Sequence, residues 1–178
     1  PGSIKFIFQP AEEGMSTGEI FGAELMIQQG ALENPKPAAI FAFHVNPKIS
    51  AGQIGYASGP FLASADSFDI TVRGKKAHGA YPDQGTDALV TAANCVGLLQ
   101  TIHSRRINAL QPSVLTIGTI QGGDRRNVIA ESVRMEGTLR TYSEATRESY
   151  RTFMKQSMQG CTQAMGADFE LTWILPQY

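Results

Sequence analysis

The chain has 178 residues, 42% of them hydrophobic, with 15 basic and 16 acidic side chains and a formal net charge of −1. That is enough apolar material for one large domain or parts of two, and too little net charge to recruit nucleic acid or an anionic membrane through a global field. The two cysteines, Cys95 and Cys161, have no zinc-finger spacing and suggest no disulfide framework. They read as buried free thiols of a reducing cytoplasm.

In chain order, residues 3–9 predict a buried strand, too apolar to alternate. A helix is predicted over about 19–29, with Gly30 as its stop. Pro35 and Pro37 mark a loop, and Ala38–Val45 predicts a second buried strand. Strand, helix, strand is the signature of a parallel α/β sheet, and one such unit cannot cover both faces of its sheet. Together with the abrupt beginning and end, this suggests a piece of something longer. There is no transmembrane run and no secretory leader pattern.

After a Gly/Ser/Pro-rich passage the pattern changes. Phe68, Ile70 and Val72 alternate with polar residues, a strand with one wet face. A helix over about 86–106 follows, capped by Thr86 or Asp87. Val114–Ile120 and Val133–Tyr142 predict two strands. A second helix over about 144–165 ends at Gly166 and places its methionines at core spacing, and Phe169–Leu175 predicts a last strand. The order β-α-β-β-α-β is the split βαβ or ferredoxin-like arrangement. The expected organisation is therefore an α/β chain: residues 1–62 a partial strand-helix-strand unit, residues 63–178 a ferredoxin-like domain.

Residues 6–14 read FIFQPAEEG, placing Glu12 and Glu13 directly after the first strand. A solvated turn or an acidic first turn of a helix would account for the pair alone. His44, however, stands at the end of the next predicted strand, and ligands gather outside the carboxyl ends of the strands in α/β sheets. A carboxylate and an imidazole on that edge are two good ligands for a divalent metal, with a second carboxylate placed to take a proton from activated water.

FIFQPAEEG closely resembles the signature of the N-acyl-amino-acid amidohydrolases, a branch of the aminoacylase and carboxypeptidase superfamily that includes hippurate hydrolases and auxin-conjugate hydrolases. AIFAFHVNP is similar to that branch's metal-histidine strand, GKKAHGAYP to its lid-histidine loop, and GGDRRNVIAESVRMEGTLRTY to its substrate-binding hairpin. The resemblance spans essentially the whole chain. It implies a metal-dependent amidohydrolase of zinc-peptidase-like fold interrupted by a ferredoxin-like lid that dimerises, with two divalent ions, Zn or Mn, in the complete enzyme. It implies Glu12 as general base and Glu13 and His44 as metal ligands. His78 would reach a partner subunit's site to stabilise the oxyanion, and Asn127 and Arg140 would hold the carboxylate of an N-acyl amino acid or small peptide-like substrate. The remaining metal ligands, a Cys-Gly-His-Asp segment and a distant histidine, are not in this chain, and Met15, Ser16 and Thr17 replace common glycines.

Other charged residues attract blander readings: Arg125 and Arg126 as solvated, His103 as a helix-surface residue without a role. Strand 114–120 carries no charge and would lie at a sheet edge, where pairing with a two-fold mate, helix 86–106 alongside its copy, predicts a homodimer. The rival reading is a non-catalytic homodimerisation module.

Overall fold

Residues 2–12 and 22–174 are described by a computed structural model. The chain divides into two compact units, Pro1–Phe61 and Leu62–Tyr178. The first holds one helix, α1 (Gly22–Gln28). Gly30, at φ +83°, ends it as expected: its amide donates to the Ile27 carbonyl and that of Ala31 to Met26, the two backbone bonds of a left-handed helix stop.

The two strands expected at 3–9 and 38–45 do not form ladders among the described residues. Their expected burial is also reversed. Phe6, Phe8, Phe41 and Phe43 are each more than three-quarters exposed. The physical reason is that a strand is completed by its neighbours. Such apolar segments need strands on either side and a layer on both faces, and the described residues of this unit supply neither.

The second unit holds the sheet. Its strands are β1 (Asp66–Arg73), the two-residue β2 (Ala77–His78), β3 (Ser113–Gly122), the two-residue β4 (Val128–Ile129), β5 (Ser132–Thr141) and β6 (Asp168–Ile174). The helices α2 (Ala88–Arg106) and α3 (Glu144–Met165) lie between them in sequence. The main sheet is antiparallel in the order β3-β5-β1-β6, the expected split βαβ topology with β3 at one edge. A second small ladder joins β2 to β4.

One face of the sheet is dry. Phe68, Ile70 and Val72 of β1 and Met135 and Leu139 of β5 form one core with Leu99 and Ile102 of α2 and Tyr150, Met154 and Met158 of α3. The intervening residues lie on the open face, where Arg134 pairs with Asp69 and Glu136. Gly137 is needed where it stands: a Cβ there would meet the Thr116 carbonyl oxygen at 2.3 Å and the Phe68 ring at 2.4 Å. Asp87 caps α2, its Oδ1 accepting from the Leu89 and Val90 amides at 2.9 and 3.1 Å.

At the entry to β1, Asp66 is fully buried. Arg147 of α3 answers it, with Nε donating at 3.0 and 2.9 Å to the two carboxylate oxygens and a further contact from its terminal nitrogen. Beside the pair, the Ser64 amide donates to the Thr141 carbonyl at 2.7 Å. Removing one partner of a buried ion pair leaves the other charge without compensation. Asp66→Ala should therefore cost about 3 kcal/mol in urea unfolding, whereas Asp66→Leu with Arg147→Met should recover most of that loss. Equal destabilisation by both variants would assign the site's importance to shape rather than charge.

Candidate functional site

The FIFQPAE segment ends in a turn on which α1 begins. Ala11 takes a positive φ of 49°, and a Cβ at Gly22 would lie 3.1 Å from Gln9 Nε2 and 3.4 Å from the Ala11 carbonyl oxygen. Glycine thus permits the close approach of helix start and turn. Glu12 is exposed at the end of this turn. Glu13 lies outside the described residues. His44 is exposed, its Nδ1 2.7 Å from the Val45 carbonyl oxygen. With the proton on Nδ1 this contact is a donated hydrogen bond, and the Nε2 lone pair stays free, the arrangement in which metal-ligating histidines are commonly held. The imidazole and the carboxylates fit a divalent cation by donor type. Among the described residues, however, no three His, Cys, Asp or Glu side chains gather as a ligand set.

In the second unit, the structure joins two residues that stand 49 positions apart. His78 sits opposite Val128 in the β2–β4 ladder, and the Gly79 amide donates to the Asn127 carbonyl at 2.8 Å. His78 and Asn127 therefore share one small, solvent-facing platform. The Ala80 amide donates to His78 Nδ1 at 3.1 Å, so in the neutral ring the proton sits on Nε2, an outward-facing donor. The ring of Tyr81 stands 5.7 Å from that of His78.

Three ties hold this platform. Lys75 and Thr86 exchange backbone bonds at 2.9 Å, the Ala88 amide donates to the Ala130 carbonyl at 3.0 Å, and Lys76 Nζ meets Asp124 Oδ2 at 2.7 Å. The last bond holds the Lys76 ammonium pKa up and the Asp124 carboxyl pKa down.

Arg140 is exposed on β5 opposite Val114. It stands eight positions beyond Ser132, the first residue of β5 and three past the end of β4, on the order of 26 Å of strand. One copy of the chain does not bring Arg140 to Asn127.

Between the 122–126 loop and the start of α2 is a cavity of about 560 Å³, with Leu89, Val128, Ile129 and Ala130 and also Arg125 and Arg126 in its lining. Two further contacts escaped the sequence. His103 Nδ1 lies 3.1 Å from Ser113 Oγ, which is 3.0 Å from the buried Tyr150 hydroxyl. The free thiols Cys95 and Cys161 meet across α2 and α3. Burial, followed by the contact with Cys161, pushes the Cys95 pKa up. No local motif signals either contact, because each joins elements distant in sequence.

A peptidase dimerisation domain of the M20 type matches residues 63–159, more than half of the chain. The chain belongs to this family. It is 36% identical, over 97% of its length, to an N-acetylcysteine deacetylase from Bacillus subtilis and covers 43% of that protein. It is 37% identical, over 94% of its length, to an N-acetyldiaminopimelate deacetylase from Listeria innocua and covers 44% of it. A solved dinuclear metal-binding peptidase of the M20 family from Bacillus subtilis superposes with a TM-score of 0.70 at 31% identity, over 96% of this chain and 40% of that one. The chain thus spans less than half the length of these M20 relatives. Among its described residues no helix is long and apolar enough to cross a membrane.

The platform depends on Gly79, where a Cβ would lie 3.1 Å from the Asn127 carbonyl oxygen. Gly79→Val should open the β2–β4 ladder and speed hydrogen exchange of the residue-79 amide, with little change in the thermal midpoint. Retained protection would show that the ladder tolerates the side chain.

Proposed function

We propose that this chain is part of a metal-dependent amidohydrolase that cleaves the amide of an N-acyl amino acid, and that two copies build its site. In this reading residues 1–62 belong to the catalytic layer and 63–178 form the dimerising lid. Glu13 and His44 would contribute ligands to a divalent centre, two zinc or manganese ions in the complete protein. Such a centre polarises water and the scissile carbonyl. Glu12 would take a proton from the attacking water and return it to the leaving amine. The Nε2–H of His78 is the kind of donor that stabilises negative charge growing on the carbonyl oxygen. Two free thiols fit a reducing cytoplasm.

The observation that carries this reading is the separation within one chain: His78 and Asn127 at one end of the sheet, Arg140 at the other. If β3 pairs antiparallel with its two-fold mate, the Val114 end of one copy meets the Gly122 end of the other. Arg140 of one copy then approaches His78 and Asn127 of its mate, where an amide and a guanidinium can hold the substrate's carboxylate together. The outer surface suits such pairing. Val90 and Leu98 on α2 and Ile120 on β3 are all more than one-third exposed.

A second reading follows from the absence of a three-residue ligand set among the described residues. The chain alone acts as a dimerisation module without catalysis. Metal titration separates the two roles, since the complete protein should bind tightly and this chain should not.

In the complete protein, Glu12→Gln should lower turnover of N-acetyl amino acids by about 10²-fold or more while metal content by atomic absorption stays unchanged. Glu13→Ala and His44→Ala should lose metal as well. Substantial activity in Glu12→Gln would remove that residue from the proton path.

The purified chain should sediment as a dimer at micromolar concentration, and Val90→Lys with Ile120→Lys should yield a folded monomer. A dimer indifferent to both changes would place the contact elsewhere.

A further inference from the structure

The cavity beside the His78–Asn127 platform has a composition that the proposed reaction leaves unexplained. Leu89, Val128, Ile129 and Ala130 supply the apolar part of its lining, and Asp87, Asp124, Arg125 and Arg126 the charged part. The two carboxylates in its lining, Asp87 and Asp124, are already engaged. Asp124 is held by Lys76 at 2.7 Å, and Asp87 accepts from two amides at the start of α2. The Arg125 carbonyl accepts from the Val128 amide at 3.1 Å, but among the described residues neither guanidinium, both on exposed residues, makes a hydrogen bond or ion pair. Two guanidinium groups are thus left uncommitted beside an apolar hollow, and a guanidinium is shaped to grip a carboxylate with two parallel bonds.

The hollow also has the right address. Gly79 and Val128, both in its lining, are the chain neighbours of His78 and Asn127. A substrate whose α-carboxylate reaches Asn127 has its side chain within reach of the adjoining hollow.

We propose that Arg125 and Arg126 form a specificity subsite for a second negative charge on the substrate, so that the enzyme prefers N-acyl amino acids whose short aliphatic side chain ends in a carboxylate. This rests on the amidohydrolase reading above and adds the class of amino acid to it. The methylene carbons of such a side chain would cover the apolar part of the lining, and its terminal carboxylate would meet the arginines.

The test compares two substrates of nearly equal shape, N-acetyl-L-glutamate and N-acetyl-L-glutamine, with the complete protein, and reads the ratio of their kcat/KM values. The ratio should favour the glutamate compound by roughly tenfold or more, the discrimination expected of a charge-assisted hydrogen bond. It should fall toward unity in Arg125→Ala/Arg126→Ala, be partly restored in Arg125→Lys/Arg126→Lys, and decline with added salt. A ratio near one in the unaltered protein, or one unchanged in the double alanine variant, overturns the subsite. N-acetyl-L-methionine serves as the control for the reaction itself. Its hydrolysis without that of N-acetyl-L-glutamate overturns the subsite and leaves the amidohydrolase reading standing; hydrolysis of none of the three removes both.

Discussion

Phe68, Ile70 and Val72 of β1 form the surface on which the dimerisation domain is built, and they are almost wholly withdrawn from water. Burying each is worth about 1.5–3 kcal/mol. Their position counts as much as their area, because β1 is flanked by β5 on one side and β6 on the other. A one-residue slip along either ladder would turn these side chains to the open face and bring Asp69 and Thr71 inward. The core therefore sets the register of β5. That register in turn sets Arg140 opposite Val114 at one end of β3 and Val133 opposite Gly122 at the other.

The two histidines singled out for function have opposite hydrogen-bonding environments. His44 faces a carbonyl oxygen through Nδ1, which favours a proton there and an open lone pair on Nε2. His78 receives an amide at Nδ1, which favours a proton on Nε2. An open lone pair suits a metal ligand, and an open N–H suits an oxygen acquiring charge. Backbone groups next to each ring in sequence are enough to set this difference, so neither tautomer needs a distant side chain to hold it.

The domain's elements were legible in the sequence wherever a local cause determines them. Alternation located β1, the pair Thr86 and Asp87 located the start of α2, with Asp87 proving to be the cap, and Gly166 located the end of α3, where its left-handed φ of 68° closes the helix. Residues 3–9 and 38–45 show the converse: their composition suits a strand, but strand formation belongs to a sheet, and the described residues of this unit supply no ladder partner. The β2–β4 ladder was invisible because two residues cannot show a period of two. Arg125 and Arg126 are solvated, as expected, but sequence does not reveal that the two acids lining the same cavity, Asp87 and Asp124, are already occupied. His103 lies on the helix surface as expected, but its partners Ser113 and Tyr150 are brought in by β3 and α3 and have no local signal.

Ser67 near the start of β1 is paired with Ile174 at the end of β6. The chain thus enters and leaves the domain through the same end of two adjacent antiparallel strands. This geometry governs the domain's response to force. Tension between those two points runs across the ladder rather than along it, so its hydrogen bonds are loaded one after another, as in a zipper. β6 would peel from β1 at low force, starting at the Ser67–Ile174 pair. The edge strand β3, on the far side of β5, lies outside that load path and would keep its pairing until the peeling was complete.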